Sequence, residues 1–153
     1  MSSRLIALLR GDDDSGNAII EFVYLAILMM VPLVYVLLTV FRVQGAAYAV
    51  SSAAREAGRV YATSESPDDA YERAFAAASI VMADSGLELS RSQLSIDCEG
   101  CLEPGSTVPV VIEYDVGLPL LPRFLDGEAP ASVQVTSHHL EVVDRFQAGP
   151  GQP

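Results

Sequence analysis

Residues 22–41 read FVYLAILMMVPLVYVLLTVF, twenty positions without one charged side chain. A helix rises 1.5 Å per residue, so this run spans roughly 30 Å, the thickness of a bilayer's hydrocarbon core. It is far too long for a core strand. It predicts a membrane-spanning helix. Pro32 lies inside the run; in a soluble helix it would cost about 3 kcal/mol, whereas membrane helices accommodate it as a kink. Tyr24, Tyr35 and the flanking Arg42 suit interfacial anchoring. A cleaved secretory signal is the rival reading. Its apolar region runs only about 7–15 residues behind positive charge. Here Asp12, Asp13 and Asp14 stand before the run, and Ala47 and Ala49 supply a weak A-x-A match after it.

The rest of the chain is acidic. Its 153 residues hold nine basic side chains against twenty acidic ones, a formal charge of −11, and all nine are Arg. Phosphate neutralisation needs a surplus of Lys and Arg, so nucleic acid is not an expected partner. Without Lys, a Schiff base and a phosphate-loop lysine are both excluded. Half the residues are apolar, which excludes a disordered chain.

On the N-terminal side, Arg4 and Arg10 weakly favour a cytoplasmic N-terminus by the positive-inside rule, although Arg42, Arg55 and Arg59 follow the span. The join reads Gly16-Asn17-Ala18-Ile19-Ile20-Glu21-Phe22. A glutamate at the edge of a membrane helix is costly and usually has a partner. A chain cut after Gly16 would carry a new α-amine at Asn17, one helical turn from Glu21. In an assembly, that amine could pair with Glu21 of a neighbour, more strongly in low dielectric. The alternative is a Glu21 that merely snorkels to the headgroups.

This join resembles the processing site of type IV prepilins and pseudopilins. The short leader and the Phe22 directly after Glu21 are similar to the Flp/Tad, or tight-adherence, branch. Further on, Ser52-Ala53-Ala54-Arg55-Glu56-Ala57-Gly58-Arg59 resembles a stretch of TadE-like pilus assembly proteins that follows their transmembrane helix. The resemblance covers residues 16–60. It implies cleavage between Gly16 and Asn17 by a prepilin peptidase, with Glu21 and Phe22 serving processing and assembly. It also implies a minor pilin or pseudopilin role beside other Tad/Flp components. Three Asp stand in the leader where prepilin leaders often carry more basic residues.

Beyond the span, the helix is expected to continue to about Ala62. Gly45, Ala49, Ala53 and Ala57 recur every fourth residue, beside Ala46, Val50, Ala54 and Gly58. Such rows share one face and let backbones approach closely. The stripe fits either sibling helices in an assembly or the chain's own sheet. Arg55 and Arg59 lie on another face.

A second helix is signalled by Ser66 as N-cap, Pro67 at the first position, Asp68 and Asp69 at the positive end of the dipole, and Gly86 past the end. Tyr71, Phe75, Ala78 and Met82 form its expected core stripe. The periodicity then changes from 3.6 to 2. Leu87, Leu89, Leu94 and Ile96 predict a first strand, and residues 107–116 a second, rich in β-branched residues. Pro109 requires that the early part of that strand be an edge or lack a ladder bond. Residues 117–130 hold three Pro and form an apolar loop; residues 131–146 read as a third strand. The expected fold is α+β. It divides into a 1–16 leader, a 17–62 helix, a 63–147 extracytoplasmic head with a small, mostly antiparallel sheet, and a disordered 148–153 tail.

Chemistry is sparse in this pattern. Cys98 and Cys101 have redox-motif spacing, but turn residues follow them where a thioredoxin-like motif would open a helix. A structural disulfide fits an exported head best, with free thiols and a metal or redox pair as alternatives. His138 and His139 are adjacent, so on a strand they point to opposite faces and do not readily share one ion. Glu113 and Asp115 read as solvated surface. No catalytic set, metal site, cofactor or small-molecule substrate is indicated. The expectation is therefore a non-enzymatic, single-pass protein of the bacterial cytoplasmic membrane with the lipid bilayer as a partner. The alternative is a membrane-tethered adhesion or sensing module outside any filament.

Overall fold

The computed structural model describes residues 14–97, 100, 102–118 and 131–146. The leader to Asp13, the Cys98 and Cys101 pair, most of the apolar loop and the tail lie outside the described residues. The fold is α+β. Helix α1 (Asp14–Ala62) and helix α2 (Pro67–Asp84) precede a 3-10 turn at Arg91–Gln93, then strands β1 (Leu94–Ile96), β2 (Thr107–Gly117) and β3 (Ser132–Val142). The three strands form one open antiparallel sheet in the order β1-β2-β3.

The chain divides at residue 38 into two units. In the first, α1 is apolar and almost wholly exposed: Ile19 is 66% and Phe22 72% accessible. The helix runs on through Pro32. From Ala18 it is long and apolar enough to cross a membrane, with a peak mean hydropathy of 2.5 and none of that window buried.

The second unit has its own core. Along α1 the core is formed by Ala49, Val50, Ala53, Ala54, Ala57, Tyr61 and Ala62, with Ala46 and Gly58 also buried. Helix α2 adds Ala70, Ala74, Ala78 and Met82, the sheet adds Leu94, Val108, Val110 and Ile112, and Val143 follows β3 into the core. Of the expected stripe on α2, Ala78 and Met82 are fully buried, but toward the start of the helix the deepest positions are Ala70 and Ala74 rather than Tyr71 and Phe75. Its deepest row is Ala70, Ala74, Ala78 and Met82, while Tyr71 and Phe75 pack half-buried at the margin. The larger rings are held there by specific partners. The Tyr71 hydroxyl lies 3.3 Å from the carbonyl oxygens of both Arg91 and Leu94. The Arg91 guanidinium sits 4.8 Å over the Phe75 ring and grips Glu72 with two hydrogen bonds of 2.6 and 2.8 Å.

Helix α2 starts and stops where its end residues indicate. Ser66 is the extended N-cap, but its hydroxyl donates to Asp69 Oδ2 at 3.2 Å and makes no cap bond to the backbone. At the other end, Leu87 N donates to Met82 O and Gly86 N to Ala83 O, with Gly86 at φ +71°. This is a Schellman closure, which needs a residue tolerant of left-handed backbone.

The first strand is shorter than its alternation suggests. Leu87 and Leu89 are half-buried against the core without strand pairing, and only Leu94–Ile96 joins the ladder. The other two strands fall within or beside their expected ranges. Hydrogen bonds at both ends of the β2–β3 pair, Leu118 N to Ala131 O and Val143 N to Ser106 O, fix which residues face each other. In β2 the even-numbered residues bond to β3, so Pro109 turns its missing N–H toward β1. Strand β1 ends there, at Ile96 opposite Val110. The proline costs no ladder bond.

Two substitutions test this packing. Met82→Ala should lower unfolding stability by about 2–5 kcal/mol through the cavity it leaves. Gly86→Ala should cost about 1–2 kcal/mol through left-handed backbone strain. Both are read from urea unfolding by circular dichroism, and an unchanged midpoint for Met82→Ala would contradict the assigned core.

Candidate functional site

The stretch Ser52-Ala53-Ala54-Arg55-Glu56-Ala57-Gly58-Arg59 is helical, so its residues divide between two faces. Ala53, Ala54 and Ala57 are fully buried in the core. Ser52, Arg55, Glu56 and Arg59 instead line a cavity of about 330 Å³, which they share with His139 and Glu141 of β3.

Gly58 brings the two elements together. A Cβ at this position would lie 3.1 Å from Glu141 Cβ, 3.1 Å from His139 Cδ2 and 3.5 Å from Val110 Cγ2. Even a methyl group here would press on the inward side chains of β3, which would have to give by a few tenths of an ångström. Glycine lets the backbone of α1 settle on the sheet, and the polar residues beside it become the wall of the cavity.

The charges inside are largely paired. Arg59 donates to both oxygens of Glu56, at 2.6 and 3.0 Å. Those hydrogen bonds, and then the charge of Arg59, hold the Glu56 carboxyl below its ordinary value of 4.5; Glu56 in turn raises Arg59, with a smaller contribution from Glu141. His139 Nε2 lies 2.9 Å from Glu141 Oε2. Arg55 differs: its Nη2 donates at 3.0 Å to the neutral hydroxyl of Ser51, and no carboxylate salt bridge to it occurs among the described residues. The site therefore offers a guanidinium, a hydroxyl and two engaged carboxylates within one recess. Among the described residues no group of three or more His, Cys, Asp or Glu is placed to hold a metal ion.

The residues singled out from the sequence fall in three places. Gly16 and Asn17 lie in the first turns of α1, and Glu21 and Phe22 are exposed on it. Ala49, Ala53 and Ala57 of the small-residue stripe are buried in the chain's own core, whereas Gly45 has open space around it. Cys98 and Cys101 lie outside the described residues. Glu113 and Asp115 are exposed on β2, and His138 and His139 take opposite faces of β3. The sequence marked Arg55 and Arg59 as sharing a face. It gave no sign that His139 and Glu141 would meet them, because that depends on how α1 seats on β3. No family model matches the chain, and neither a curated protein nor a solved structure matches it.

Two predictions follow from this geometry. Gly58→Leu should cost about 1–3 kcal/mol by overpacking against His139 and Glu141, measured by urea unfolding; native-like stability would refute the close seating. The pH dependence of the Glu56 pair has a definite sign. A carboxyl lowered in the folded state contributes stability above its ordinary value and loses it as pH falls through the folded one. The stability gap between the native chain and Glu56→Gln should therefore be small, as for exposed pairs, and should close below pH 4.5.

Proposed function

We propose that this chain is a non-enzymatic, membrane-anchored structural protein, a TadE-like minor pilin or pseudopilin of a Tad/Flp-type pilus. The observation that carries this reading is the first part of α1. From Ala18 to Leu38 its large apolar side chains are exposed, and the hydropathy is that of a membrane span. Burying a large apolar side chain is worth about 1.5–3 kcal/mol, so leaving this run in water would cost tens of kcal/mol. A bilayer or a bundle of like helices would cover it. The head would then stand outside the cytoplasm with the N-terminus inside.

The processing step is supported by the join before the span. A prepilin peptidase would cut between Gly16 and Asn17. Both belong to a helix that begins at Asp14, so the scissile bond sits at an end, where helices fray readily. The new amine at Asn17 would lie one turn from Glu21. Pairing with Glu21 of a neighbouring subunit would remove two costly charges from lipid at once. Partners in this reading are the bilayer, the peptidase and other pilus subunits, with no cofactor.

N-terminal sequencing of the protein extracted from membranes of its host should begin at Asn17. An intact Met1 in cells that possess the peptidase would remove the processing step. Glu21→Ala should leave cleavage intact and reduce pilus output; normal output from that variant would remove the assembly role of Glu21.

A further inference from the structure

We propose that the free edge of β3, whose His139 and Glu141 share a recess with Arg55, takes an extended peptide of another protein as a fourth strand, with a carboxylate of that peptide bound by the Arg55 guanidinium. The two hydrogen bonds that fix the β2–β3 ladder also fix the opposite edge. Odd-numbered residues of β3 face β2, so Ser132, Gln134, Thr136, His138, Leu140 and Val142 direct their backbone N–H and C=O groups outward. Among the described residues no strand pairs with that side.

Natural sheets protect such an edge by keeping it short, or with proline, lysine or a bulge. Strand β3 has eleven residues and an unbroken register with β2, and its sequence SVQVTSHHLEV contains neither Pro nor Lys. Its one inward charge, Glu141, is already engaged by His139. The other edge strand, β1, has only three residues.

The cavity supplies the selectivity. Side chains of a strand added to β3 would alternate between the two faces of the sheet. Those on the helix-facing side would reach the recess that His139 and Glu141 line together with Ser52 and Arg55. Arg59 is committed to Glu56 by two hydrogen bonds, whereas among the described residues Arg55 has only the Ser51 hydroxyl. A guanidinium with that vacancy is matched by a carboxylate, which it can grip through two parallel bonds. Backbone pairing provides affinity and the side-chain pocket provides choice, the usual division in strand addition.

The test uses the full chain in detergent micelles and a dye-labelled peptide alternating threonine and valine around one glutamate, followed by fluorescence anisotropy. Saturable binding is expected, with the same peptide carrying glutamine roughly tenfold weaker, about 1.4 kcal/mol. Arg55→Gln should bind both peptides alike, at the weaker level. Leu140→Pro removes an outward N–H without touching the β2 ladder, so it should abolish binding of both while the circular dichroism spectrum stays native. If Leu140→Pro unfolds, His138→Pro removes the neighbouring outward N–H and carries the same expectation. Absence of binding, equal affinity of the native chain for the two peptides, or full binding by a folded proline variant would each overturn the proposal. So would dimers formed through β3 that the peptide does not dissociate.

Discussion

The close seating of α1 on the sheet at Gly58 is the contact on which the second unit depends. A helix that presents leucines to a sheet stands well off it, and the gap fills with side chains. Here α1 contributes mostly alanines, and the sheet meets it with two valines, one isoleucine and one leucine. The largest fully buried side chains are Met82, Ile112 and four valines. Small residues cover little apolar area each, so the core gains stability through contact density more than through bulk. A core of this kind is intolerant of enlargement. One added side chain at Gly58 meets a sheet that is already within 3.1 Å.

The same dependence on small residues explains what could and could not be read from the sequence. The apolar run, the boundaries of α2 and the two long strands were legible because each carries its own local signal: unbroken hydropathy, a Ser-Pro start with a glycine stop, and β-branched alternation. The second half of the buried row of α2, Ala78 and Met82, was legible, but its first half was assigned to Tyr71 and Phe75 because their rings weigh more in any hydrophobic pattern than Ala70 and Ala74. The rings went to the margin because each had a polar or cationic partner waiting there, in the carbonyls of Arg91 and Leu94 and the guanidinium of Arg91. Leu87 and Leu89 alternate like a strand, but a chain segment crossing the rim of a core can bury every second residue without any ladder. The cavity was legible only on its helical side. Its β3 wall depends on a strand register and a helix height that no local pattern encodes.

The charges follow a comparable logic. Among the described residues two arginines form salt bridges to carboxylates. Arg91 takes Glu72 across the 3-10 turn, and Arg59 takes Glu56 within its own helix. The first pair ties two elements together and shields the Phe75 ring. The second leaves fold geometry untouched, since both partners ride on one helix. Its effect is to occupy Arg59 and Glu56 with each other, so that the recess between α1 and β3 is not simply a basic pocket.

The stretch from Ser52 to Arg59 can then be separated into two functions carried on opposite sides of one helix. Ala53, Ala54, Ala57 and Gly58 are accounted for by folding alone, since each is buried and Gly58 is at the limit of close approach. Folding does not account for Arg55. It lines a recess with His139 and Glu141 of β3 and, among the described residues, hydrogen-bonds a serine one turn away and no carboxylate. A chain selected only to close its core would have no need of a guanidinium there. A chain that meets an acidic strand at this edge would, because the charge is wasted on solvent until that carboxylate arrives.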